Sequence, residues 1–504
     1  MLISSLGKWP QKGWSSMSMD VLELSRVIFD WTTYLLIIYV AVVTLFYLIL
    51  FLVSARQLRR EAGLQLLQYE DVLHSSFTPP LSIIVPAYNE EIGIVSSVRS
   101  LLSIQYQEYE IIVVNDGSKD DTLKVMIDEF DLSVVRGKVH WSGLKKPTKP
   151  IRGVYRSNQH PNLIMVDKDN GGKSDALNVG INLSKYPYFV SLDGDTVLDE
   201  HAFIKIMKPI VEARPGEEII ATGGSVGIAN GSTIQSGHLS DRDVALSRNK
   251  LVVMQVIEYM RAFLMGRIGL SKYNLLLIVS GAFGVFKKSW VIEVGGYEVG
   301  TVGEDMELVV RLHRLIKEKK SKGRIIYIPD PVCWTEAPEE LPVLHRQRTR
   351  WHRGLFESLW KHKKMLLNPR YGAIGMVSMP YFLFVELLGP VVELIGYLCI
   401  IFGYMLELVN LEYAFILFIV MLLYGSFLSM GAVLLEEWGM RKYSRMSDLV
   451  RLFFFALSES FWYRPLMTLW RFEGLIQAIS GRSYGWGEMT RKAGVMGNNK
   501  NNKK

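Results

Sequence analysis

The sequence predicts an α/β domain, a mostly parallel sheet covered by helices, flanked by transmembrane and interfacial helices. Three observations predict it. Apolar residues are bunched into 31–53 and roughly 373–472, while charge concentrates between about 80 and 370. Inside the charged stretch, short apolar runs are each followed by a polar loop and then by helical spacing, the repeat of a helix-covered parallel sheet. The apolar runs also end in acids, at the strand ends where open α/β sheets bind ligands.

Composition sets the frame. The chain has 504 residues, enough for more than one unit, and is 49% hydrophobic with a mean hydropathy of +0.17. Net charge is +7. There is no zinc-finger spacing, RNA-binding aromatic motif or long basic arm, so no nucleic-acid partner is expected. Cys333 and Cys399 are too few for a metal cluster, and their settings argue against pairing.

Taken in order, residues 1–30 are expected outside the membrane. Residues 31–53 carry no charge over 23 positions, enough for one span. Arg56, Arg59 and Arg60 follow, which places the next segment, linker 54–78, in the cytoplasm. The cytoplasmic domain is 79–372. Its first run lies in "PPLSIIVPAYNE" (79–90), the second in "YEIIVVNDGSKDDT" (109–122), the third in "NLIMVDKDNGGKSDALNVGI" (162–181) and the fourth in "YFVSLDGDT" (188–196). Residues 373–448 hold two more apolar stretches and a loop with Arg441, Lys442 and Arg445. Glu386 and Glu393 share one helical face there. Residues 449–480 carry Arg451, Glu459, Arg464 and Arg471 and are expected to form an interfacial or re-entrant helix. Residues 481–504 form a basic cytoplasmic tail.

The fourth run poses the chemical question. It ends in Asp193 and Asp195, separated only by Gly194. Alternate residues of extended chain point to one side, so the carboxylates repel. A divalent cation relieves that repulsion, and hard oxygen ligands with an incoming diphosphate suit Mg²⁺ or Mn²⁺. The plain alternative is a solvated acidic turn, the commoner fate of a lone Asp-x-Asp.

Context shifts the balance. "VPAYNE" with "VVNDGSKDDT", "SLDGDT", "VGEDMEL" (302–308) and "QRTRW" (347–351) occur in that order. Together they resemble the family 2 inverting glycosyltransferases, specifically the membrane-embedded synthases of poly-N-acetylglucosamine, hyaluronan, chitin and cellulose. The resemblance covers about 80–355 and implies a GT-A (Rossmann-like) fold, a UDP-sugar donor, and a growing polysaccharide or lipid-linked acceptor. It implies an active site at the cytoplasmic face of the plasma membrane, membrane lipid around the helices, and coupled export. So few spans imply a second membrane subunit or a homodimer.

The resemblance also implies roles. Pro86, Tyr88, Glu90 and Asp116 hold uridine, and Lys173 lies close to phosphate. Asp193 contacts the nucleotide side and, with Asp195, the cation. Asp305 is the general base beside Glu304; as a bare sequence feature it reads as a helix cap. Arg350 forks phosphate oxygens, while Gln347 and Trp351 share a face for the acceptor sugar; the alternative for "HRQRTRWHRG" is a basic surface helix. "SGAFGVF" (280–286) resembles an acceptor-side loop, or is a tight turn before a strand. Glu258 and Arg261 are spaced for an (i, i+3) pair. Two other functions compete: transfer of one sugar to a lipid carrier, and an inactive nucleotide-sensing or export scaffold. Product size and nucleotide release separate them.

Overall fold

The structure, a computed structural model, describes residues 19–61, 78–137, 139, 141–194, 196–199, 201–233, 238–239, 244–408, 411–440, 442–443 and 445–481. Asp195 and the tail 482–504 lie outside the described residues, as does most of the 54–78 linker.

Among the described residues, eleven strands form one sheet: β1 Leu81–Ala87, β2 Tyr109–Asp116, β3 Leu132–Val134, β4 Ile151–Ser157, β5 Leu163–Lys168, β6 Tyr188–Leu192, β7 Val197–Asp199, β8 Glu218–Ile228, β9 His238–Leu239, β10 Phe283–Lys287 and β11 Gly323–Thr335. Their order is β3-β4-β5-β2-β1-β6-β10-β8-β11-β7-β9. The four runs singled out in the sequence are β1, β2, β5 and β6, and these pair parallel at the centre. Their side chains are buried almost without interruption, because helices cover both faces. The flanks are mixed. β10 runs antiparallel to both β6 and β8, and β4 antiparallel to β3 and β5. An apolar run does not encode its direction, so this part of the pattern was not readable.

The sheet ends in loops that converge. Ser97 Oγ donates to Gly194 O at 2.8 Å, and Asp193 N donates to Ala282 O at 3.3 Å. The loop after β6 is thereby tied to the helix after β1 and to the start of β10.

Among the described residues, two helices are long and apolar enough to cross a membrane, Glu23–Arg60 and Phe418–Gly439; the bent pair Ile374–Leu387 and Gly389–Met405 makes a third if it is one span. The first belongs to a helix running Met19–Glu61. Residues Met446–Ile479 form one uninterrupted helix. Its charges turn inward: Arg464 pairs with Glu393 at 2.7 Å, Arg471 with Glu386 at 3.2 Å, and Glu459 with Arg261 at 2.7 Å. Cys333 and Cys399 are free.

Candidate active site

The nucleotide-side loops are built first. Lys168 is wholly buried at the end of β5 and stands between two carboxylates, 2.5 Å from Asp116 Oδ1 and 2.7 Å from Asp175 Oδ2. Asp116 also accepts from Gly171 N at 3.0 Å and Gly172 N at 2.7 Å. A buried ammonium needs such partners to remain charged. The result is a rigid "NGGK" turn, locked to the end of β2, that delivers Lys173 to the cleft. Tyr88 is exposed beyond the end of β1. A β-carbon built on Gly194 would lie 3.7 Å from Pro86 O and 4.0 Å from Glu90 Cγ, so the acidic loop sits over the end of β1.

Lys173 is the hub. Its Nζ lies 2.5 Å from Asp193 Oδ1 and 3.6 Å from Glu304 Oε1, and donates to Gly281 O at 3.2 Å. Burial disfavours its charge, but Asp193, Glu304 and Asp305 outweigh burial and hold the ammonium above its ordinary range. Asp305 closes the group: a β-carbon on Gly281 would stand 3.0 Å from Asp305 Oδ2. A side chain there would press on that carboxylate. The expected acceptor-side loop thus forms the wall beside Asp305.

Glu304 and Asp305 start the helix Glu304–Glu318. Asp305 Oδ1 accepts from Met306 N at 2.8 Å. Burial drives both carboxyls above the ordinary range; Lys173 pulls both back, and the mutual repulsion of the two adds to the rise at Glu304. Burial also lowers the Arg350 guanidinium, against the opposing pull of Glu304, Asp193 and Asp305. Arg350 therefore feels the same three carboxylates that surround Lys173.

The box helix Leu341–Lys361 is fastened to the acid-bearing helix. Val302 N donates to Glu357 Oε2 at 3.0 Å, and Ser358 Oγ to Gly303 O at 3.3 Å. Wholly buried Glu307 lies 2.6 Å from Arg311 Nη2 and 3.2 Å from His362 Nε2. This bracing holds the box helix beside the helix that starts with Glu304 and Asp305.

Trp351 is 45% exposed, with the Arg348 guanidinium 4.3 Å from its ring centre. Gln347 Oε1 accepts from Arg348 Nη1 at 2.7 Å. Glu258 and Arg261 do not pair with each other: Glu258 pairs with Arg348 at 2.7 Å, and Arg261 with Glu459. Helical spacing permits a pair, but the long-range partners win because buried Arg348 and Glu459 would otherwise be left without a counter-charge. Sequence reasoning also missed Arg267. It ends a π-helical segment Arg261–Arg267, and its guanidinium lies 4.4 Å from the Phe263 ring centre. Its charge opposes the upward shift of Asp305. The π-helical segment had no legible signature, since "RAFLMGR" reads as ordinary helix.

Among the described residues, no group of three or more His, Cys, Asp or Glu could hold a metal ion. Asp193, Glu304 and Asp305 gather around Lys173 and act electrostatically on Arg350.

Residues 188–428 match the family described as glycosyl transferase family group 2, and residues 82–146 match glycosyl transferase family 2. The chain belongs to the family 2 glycosyltransferases. The two matches take in Asp116, Asp193, Asp305 and the box helix. The chain is 29% identical over 283 residues to the poly-beta-1,6-N-acetyl-D-glucosamine synthase of Staphylococcus aureus, covering 55% of each chain. With the synthase of the same name from Staphylococcus epidermidis it is 29% identical over 297 residues, covering 57% of this chain and 59% of that one. The chain thus spans a little over half the length of the curated relatives it matches. A mannosyltransferase from Pyrobaculum calidifontis, solved in complex with GDP-Man and Mn²⁺, aligns with a TM-score of 0.49 at 16% identity, covering 86% of this chain and 100% of that one.

Proposed function

We propose that this family 2 glycosyltransferase adds N-acetylglucosamine from a UDP-sugar to a growing polysaccharide at the cytoplasmic face of the plasma membrane, with export coupled to extension. The observation that carries the reading is the meeting of Asp193, Glu304 and Asp305 around Lys173, under the electrostatic reach of Arg350. The choice of sugar is supported by the likeness to the staphylococcal poly-beta-1,6-N-acetyl-D-glucosamine synthases. The apolar helices supply the membrane setting.

In this reading Pro86, Tyr88, Glu90 and Asp116 hold the uridine. Lys173 and Arg350 receive the diphosphate, and a guanidinium forks two phosphate oxygens well. Asp305 takes the proton from the attacking hydroxyl. Its raised basicity suits that task, because a base works best with a pKa close to the operating pH. Trp351 offers its exposed ring to the acceptor. Asp193 and Asp195 would hold a hard divalent cation through carboxylate oxygens, the ligand type that Mg²⁺ and Mn²⁺ take together with phosphate oxygens and water. When bound, Mg²⁺ or Mn²⁺ would neutralise charge on the departing diphosphate.

The test is UDP release by the purified full chain with UDP-N-acetylglucosamine and Mn²⁺, followed by sizing of the product. Long chains support the reading. A single sugar on lipid points to carrier loading, and no release with any UDP-sugar ends the case for catalysis.

A further inference from the structure

The side chain of Arg348 is 3% exposed. A guanidinium that deep needs a counter-charge, and removing one member of a buried pair leaves the other uncompensated. Its counter-charge comes from Glu258, 90 positions earlier on the helix Lys250–Met260. The same Glu258 Oε2 accepts the Tyr463 hydroxyl at 2.6 Å, from the helix Met446–Ile479. One carboxylate oxygen therefore joins three elements that are far apart in the chain.

What Arg348 touches gives the junction its meaning. Its guanidinium lies 4.3 Å from the Trp351 ring centre, and one of its amino groups donates to Gln347. Tyr259, next to Glu258, lies 6.4 Å from Trp351, ring centre to ring centre. The helix Met446–Ile479 also rides close on the box helix. A β-carbon at Gly474 would lie 2.7 Å from Thr349 O, and His345 pairs with Glu473 at 2.7 Å. The orientation of Trp351 is thus set by Arg348, that of Arg348 by Glu258, and that of Glu258 in part by Tyr463.

We infer that Glu258 and Tyr463 are positioning residues for sugar transfer: through Arg348 they fix Trp351 and Gln347 relative to the cleft, and tie that geometry to the helix Met446–Ile479. The inference rests on the reading that Trp351 and Gln347 serve the acceptor. Neither Glu258 nor Tyr463 is assigned a contact with donor or acceptor. Their loss should disturb the acceptor half of the site and leave the nucleotide half alone, because Asp116, Lys168 and Lys173 are held by separate bonds.

The experiment uses full-length protein in lipid nanodiscs with UDP-N-acetylglucosamine and Mn²⁺. It measures UDP release, product length and UDP affinity for Glu258→Gln, Tyr463→Phe and the double variant. Glu258→Gln should lower kcat at least tenfold and shorten the product, with UDP affinity within twofold of wild type. Tyr463→Phe should give a smaller loss of the same kind. The double variant should be no worse than Glu258→Gln alone, because coupled residues are not additive. Glu258→Asp should recover part of the product length. Wild-type kcat and product length per folded molecule in both single variants would overturn the inference, even with a lowered Tm. Equal losses in UDP affinity and kcat would also overturn it. If Glu258→Gln does not fold, Tyr463→Phe, which loses one hydroxyl, decides alone. A wild-type chain that releases no UDP overturns the parent reading and this inference together; an active wild type with unaffected variants overturns only the inference.

Discussion

Replacing Asp305 by Asn separates chemistry from binding. The side chain keeps its size and can still accept from Met306 N, the bond that holds it at 2.8 Å. What it loses is the capacity to take a proton. General base catalysis contributes about 10²–10⁴-fold, so kcat should fall by that factor. Nucleotide binding should respond differently. Asp193, Glu304 and Asp305 surround Lys173 and act on Arg350, and Arg267 acts on Asp305. The amide removes one negative charge near where a diphosphate is to lodge, so UDP should bind as tightly as before or a few-fold more tightly. UDP release at saturating donor gives the first quantity, and calorimetric titration with UDP gives the second. Turnover within about tenfold of wild type would refute the base assignment. A loss of UDP affinity that matches the loss of turnover would make Asp305 a binding residue instead.

The shifted carboxyls predict the pH behaviour. With Glu304 and Asp305 raised above the ordinary range, the acid limb of kcat/KM should lie above the usual value of about 4 for a free carboxyl, and should change in Asp305→Asn. The folded state binds these protons more tightly than the unfolded chain. Its stability benefit is therefore full below the ordinary carboxyl range and lost as pH rises through the raised values. Asp305→Asn should then melt above wild type at pH 8 without divalent cation, with a gap that narrows on acidification; a variant that melts lower at pH 8 contradicts the sign. Gly281→Ala puts a methyl 3.0 Å from Asp305 Oδ2 and should cost about 10²-fold in kcat with UDP affinity intact; equal activity would mean that this wall does not position the base. Lys168→Met leaves Asp116 and Asp175 buried without their cation and should destabilise by about 3–5 kcal/mol in denaturant unfolding, with loss of UDP binding; an unchanged midpoint would contradict the clamp.

The central sheet was legible because β1, β2, β5 and β6 are buried on both faces and their sequences are nearly all apolar. The gathering of Lys173 and Asp193 was legible because both fall at or just beyond strand ends, which a parallel sheet sends to one edge; Asp305 was reached only through the motif resemblance, since alone it reads as a helix cap. The rest had no local signature. Lys168 reads as a polar residue ending a strand, and only the neighbouring strand and helix make it a buried clamp. Glu258 is spaced to meet Arg261, yet its partners lie 90 and 205 positions away. The helix Met446–Ile479 carried too much charge for a plain apolar span; the structure accounts for Arg464 and Arg471 through Glu393 and Glu386. Spacing along the chain reports which face a residue occupies, but not what comes to meet it.

The most direct measurement is a structure of the full chain with UDP and Mn²⁺. Phosphate oxygens should lie within about 3 Å of the Arg350 guanidinium, with Asp193 turned to the same diphosphate and Asp305 on the side left open for an acceptor. A nucleotide seated elsewhere, with Lys173 still closed on Asp193 and Arg350 turned away, would contradict the shared cleft.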